Sequence, residues 1–84
     1  MRVTVQHTLD IEDIPEYIED RLRSISQLLE ELQNGVDIAT QESQAERYIA
    51  ASELLDDVRQ KMSFLDSGIE EIQSISLSYE KIRI

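Results

Sequence analysis

What most constrains this chain is the spacing of its large aliphatic residues. Ile14, Ile18, Leu22, Ile25, Leu29 and Leu32 recur at intervals of three and four, which gathers them on one face of a helix. From Tyr48 the pattern resumes with Ala51, Leu55, Val58, Met62, Leu65, Ile69 and Ile72, a heptad-like seam sustained for more than three repeats. Two such faces predict an antiparallel helical hairpin. Before and after it the period falls to two. Met1, Val3, Val5, Leu9 and Ile11 alternate with Arg2, Thr4, Gln6, Thr8 and Asp10, which predicts a half-buried strand over 1–11. Ser74 to Tyr79 alternate again, so 74–84 reads as a second strand, with an extension of the preceding helix as the competing reading. The expected fold is therefore mostly α (α+β), a β-α-α-β chain forming a single domain over 1–84.

Boundary residues sharpen this outline. Asp13 and Glu16 have capping-box spacing, and Pro15 sits in the first turn, where a missing N–H costs nothing. Asn34-Gly35 supplies a stop, with Gly35 suited to the left-handed position after a helix, which gives helix 1 residues 14–33. Asp37 can cap a second helix over 38–72. Ser67-Gly68 falls inside its seam as a possible kink.

These lengths do not match. With a tight connection at 36–37, Met62, Leu65, Ile69 and Ile72 would project about 15–20 Å beyond helix 1. Each is worth about 1.5–3 kcal/mol when buried, so something must cover them. Tyr17, Leu28 and the stem of Arg21 form a second flank on helix 1, while Ile49 and Phe64 fall away from the seam of helix 2. A domain this small buries only about 60% of its unfolded surface, and oligomerisation is a natural supplement. The expected assembly is a homo-oligomer, most simply a two-fold dimer, with Met62, Phe64, Leu65, Ile69, Ile72, Tyr17, Leu28 and Ile49 as its interface residues.

Composition narrows the function. Lys plus Arg number 8 against 18 Asp plus Glu, a formal charge of −10. That balance argues against nucleic-acid and anionic-membrane partners. There is no Cys, hence no disulfide framework and no thiolate chemistry. No apolar run reaches the roughly 18 residues of a membrane span, and MRVTVQHTLD lacks the apolar core of a signal peptide, so a cytoplasmic setting is expected. His7, the single histidine, lies on the apolar parity of the expected strand with no second ligand beside it. The serines have no nucleophile-elbow turn and no adjacent base. No cofactor, metal or catalytic residue is expected, and the chain reads as a non-enzyme.

The acidic cluster Asp10, Glu12, Asp13, Glu16, Glu19 and Asp20 precedes the first basic residue of that stretch, Arg21. Helix-dipole complementarity accounts for it, as does a contact surface for a basic partner. An EF-hand-like loop from Asp10 fails, because Pro15 replaces the required Gly and Arg21 stands at the acidic twelfth position. The leading functional expectation is a protein–protein interaction or assembly module that self-associates and docks another protein. An acidic nucleic-acid mimic that inhibits a nucleic-acid-binding protein, and a small-molecule binder at an oligomer interface, are the alternatives.

Overall fold

A computed structural model describes residues 10–83. After Asp10, a short 3-10 turn (Ile11–Asp13) leads into α1 (Ile14–Gln44), and a three-residue connection leads into α2 (Tyr48–Arg83). The two helices pack side by side as a helical hairpin with extents of 56 × 23 × 16 Å. No strand occurs among the described residues. Residues 74–83 continue α2 as helix, so the C-terminal strand is not found and the competing reading holds. The expected N-terminal strand over 1–11 falls mostly outside the described residues, and its last residue, Ile11, begins the 3-10 turn instead.

The internal boundaries also move. Asn34-Gly35 does not stop the first helix, which runs a further nine residues to Gln44, and Asp37 caps nothing. The reason lies in packing. A Cβ on Gly35 would stand 2.9 Å from Val58 Cγ2, so glycine serves here for close approach of α2 to the α1 backbone, within the helix. The turn comes instead at residues 45–47. The Ala45 and Glu46 N–H groups donate to the Gln41 and Ser43 carbonyls, and the Arg47 N–H donates to the Glu42 carbonyl at 2.8 Å. The same Arg47 pairs through its side chain with the Glu42 carboxylate. Glu46 takes the left-handed conformation, φ 62°, which favours Gly or Asn and carries strain in a glutamate.

Helix register follows from two close approaches, Gly35 with Val58 and Ile25 with Gly68. Ten residues toward the N-terminus on α1 correspond to ten toward the C-terminus on α2. The seam on α1 is therefore Ile14, Ile18, Arg21, Ile25, Leu28, Leu32, Gly35, Ala39 and Glu42. On α2 it is Ala51, Leu54, Val58, Lys61, Leu65, Gly68, Ile72, Ile75 and Tyr79. Every one of these residues is buried or half-buried. Steps of three and four alternate without interruption, the 3.5-residue repeat of an antiparallel coiled coil. Large residues stand opposite small ones across the seam: Ile25 over Gly68, Val58 over Gly35, Leu54 over Ala39. Gly68 is thus a packing position, and α2 runs unbroken through Ser67-Gly68.

This register removes the expected overhang. α1 and α2 have 31 and 36 residues and lie alongside each other over most of their lengths. Ile72 is buried and Leu65 half-buried against their own chain, and Ile18 stands opposite Ile75. The core remains thin. Among the described residues, Leu32, Ala39, Ala51, Val58 and Ile72 are its buried members, and no side chain is fully enclosed.

Candidate functional site

Side chains flanking the seam divide between the two broad faces of the hairpin, and the faces differ in chemistry. One carries Leu22, Leu29, Val36 and Ser43 from α1 with Tyr48, Leu55, Met62, Ile69 and Ser76 from α2. Register pairs them in layers, Leu22 beside Ile69, Leu29 beside Met62, and Val36 beside Leu55. Leu22 and Ile69 share one shallow groove with Ile25, Ile72, Gln73, Ser76 and Leu77. Val36, Ser43, Tyr48 and Leu55 share another. Seven large apolar side chains on this face remain about half exposed, from 44% at Ile69 to 64% at Tyr48. None of these positions is Asp, Glu, Lys or Arg.

The opposite face is laced with ion pairs. Arg21, a seam residue, reaches out with Nη2 to Glu71 Oε1 at 2.9 Å, while its buried Nε has no hydrogen-bond partner. Lys61, the other basic seam residue, lies 3.1 Å from Asp57 Oδ2 and 3.4 Å from Glu31 Oε1. The Asp57 hydrogen bond, opposed by partial desolvation and aided by Asp57 and Glu31 charge, raises the Lys61 pKa. Phe64 projects from this face, 73% exposed, over a groove shared with Arg21, Ser24, Leu28, Ser67, Gly68 and Glu71.

The residues expected at the interface therefore occupy four different places. Met62 and Ile69 lie on the apolar face. Leu28, Leu65 and Ile72 belong to the seam, and Phe64 and half-buried Tyr17 lie toward the charged face. Ile49, 81% exposed, points away from α1 altogether. Leu22, Leu29, Val36 and Leu55 are members of the apolar face that spacing alone assigned to the seam or left unassigned. The signal for them is present in the sequence as a second apolar series at seven-residue intervals, offset by one from the true seam.

The acidic cluster sits at the open end of the rod. Asp10, Glu12, Asp13, Glu16, Glu19 and Asp20 are all exposed, and Asp20 pairs with Arg23. Asp13 is the residue preceding α1 but makes no side-chain capping bond, so the expected capping box does not form; Pro15 does occupy the first turn. Among the described residues, no three His, Asp or Glu side chains converge to hold a metal ion, and no helix is long and apolar enough to cross a membrane. His7 lies outside the described residues. No known protein family, curated protein or solved structure matches the chain.

Proposed function

We propose that this protein is a non-enzymatic assembly module, a helical hairpin that associates through its apolar broad face and presents its charged face and acidic tip to another protein. The single observation that carries this reading is the uncharged face built from seven half-exposed large side chains. Full burial is worth about 1.5–3 kcal/mol per such side chain, so half-burial leaves roughly 5–10 kcal/mol of transfer free energy per chain for an association to use. Among the described residues, no third layer covers this face. Contiguous apolar patches on this scale mark interaction sites in soluble proteins. The carboxylates, by contrast, suit steering and partner choice rather than adhesion.

The test is the dependence of thermal stability on protein concentration. Association that selects the folded hairpin raises the unfolding midpoint as concentration increases. Replacing Leu29 and Met62 together by Glu should abolish that dependence while leaving the helical circular-dichroism signal. A midpoint that stays constant from micromolar to millimolar concentration removes the self-associating part of this reading.

A further inference from the structure

We infer that the occupant of the apolar face is a second copy of this chain, packed face to face about a two-fold axis that crosses the rods at the Leu29/Met62 layer, with the two turns at opposite ends of a four-helix bundle. The inference rests on the self-association proposed above and adds its geometry. Three observations carry it.

Size comes first. The apolar band runs from Tyr48 to Ile69, about 32 Å along α2 at 1.5 Å per residue. Across the 23 Å width of the hairpin this gives roughly 700 Å², close to the ~800 Å² that each partner contributes to a standard stable interface. Symmetry is the second. A two-fold interface must be complementary to itself. The band has a central layer, Leu29/Met62, with one apolar layer seven residues away on either side, so reversal of the rod sets Leu22/Ile69 upon Val36/Leu55 of the partner and returns the central layer onto itself. Exposed Tyr48 then meets the small Ser76 position.

Charge is the third and selects among arrangements. Two chains of formal charge −10 tolerate close contact only where the middle of the contact holds no carboxylates, and the paired layers of this face hold none. At its α2 edge stand Arg59 and Asp66, seven residues apart. Neither has an ion-pair or hydrogen-bond partner among the described residues. Reversing α2 about Met62 carries Arg59 of one chain to within one residue of the level of Asp66 of the other, twice per dimer, a rise of about 1.5 Å that a long arginine side chain spans. The alternative two-fold, parallel to the rods, sets Arg59 against the level of Gln33 and leaves both charges unpaired.

The experiment exploits the absence of native cysteine. Met62→Cys and Phe64→Cys are made separately and oxidised at a concentration where the parent protein sediments as a dimer. Met62→Cys is expected to give a disulfide-linked dimer and Phe64→Cys to stay unlinked. Arg59→Asp should weaken dimerisation roughly tenfold, and the exchange Arg59→Asp with Asp66→Arg should restore it. Preferential linking at Phe64→Cys in a protein that still dimerises overturns this geometry and leaves the assembly reading standing. So does linking at neither site, or a charge exchange that fails to restore binding. A parent protein that sediments as a monomer at all concentrations overturns both.

Discussion

The two broad faces of this hairpin are built from the same two helices and the same heptad, yet one carries no charge and the other is bound together by it. They differ only in which side of the seam each flanking position falls. On the charged side, Arg21 and Lys61 spend seam positions to reach Glu71, Glu31 and Asp57. Exposed pairs of this kind contribute little stability, about 0–1 kcal/mol each, but they keep the face hydrated and resistant to apolar contact. On the other side, Leu29 and Met62 are left near half exposure with nothing polar beside them in their layer. A thin rod can thus have one adhesive surface and one solvated surface without a change in backbone.

The largest expected effect comes from making the faces alike. Leu29→Glu with Met62→Glu should weaken self-association at least a hundredfold in sedimentation equilibrium, whereas Phe64→Glu should change it less than twofold. Equal losses would end the distinction. Because one register defines both faces, the register is the next point to strain. Gly68→Ala places its Cβ 3.8 Å from Ile25 Cδ1, an ordinary contact, and should stabilise the fold by about 1 kcal/mol through helix propensity. Gly35→Ala meets Val58 at 2.9 Å and should be less stable than Gly68→Ala by about 1–3 kcal/mol in urea titration.

Lys61 belongs to the seam by position and to the charged face by its partners. Lys61→Leu, opposite Leu32, should stabilise the hairpin, seen as a higher urea midpoint, since the apolar gain exceeds the loss of exposed pairs. The smallest effect is in pH. The Lys61 pKa is raised above its ordinary 10.5 by Asp57 and Glu31. The stability it adds is complete below that value and is lost as pH rises through the raised one. A denaturation series above pH 10 should show a decline that Lys61→Leu lacks.

Much of the hairpin was legible from spacing. Ala51, Val58, Leu65 and Ile72 are seam residues as their period predicts, and the antiparallel pairing of two helices follows from two apolar stretches in a short chain. The errors arose where residue type and position disagree. Arg21, Gly35, Lys61 and Gly68 occupy seam positions without being large aliphatics, so spacing passes over them: it takes Leu22, Met62 and Ile69 in place of Arg21, Lys61 and Gly68, and in the adjacent pairs Leu28-Leu29 and Leu54-Leu55 it takes the wrong leucine. Gly35 was the costliest of these. Read as a terminator, it shortens α1, starts the second helix at 38 instead of Tyr48 and creates an overhang that the real register does not contain. Alternation in Ser74–Tyr79 misled for a related reason. Ile75 and Tyr79 are four apart and line the seam, while Leu77 between them points outward at 66% exposure. Period two and period 3.5 share those residues, and only the partner helix separates the two.

The turn at residues 45–47 has a kinetic consequence. Glu42 and Ala51, the seam layer nearest it, are nine residues apart in the chain, while Ile14 and Tyr79 at the far end are sixty-five apart. The entropy of loop closure rises with that separation, so folding is expected to start at the bend and travel outward like a zip, each layer shortening the search for the next. Unzipping proceeds in the opposite direction. The tips far from the bend, where the acidic cluster lies, are expected to open first, and amide protection among the described residues should fall steadily from the bend toward them.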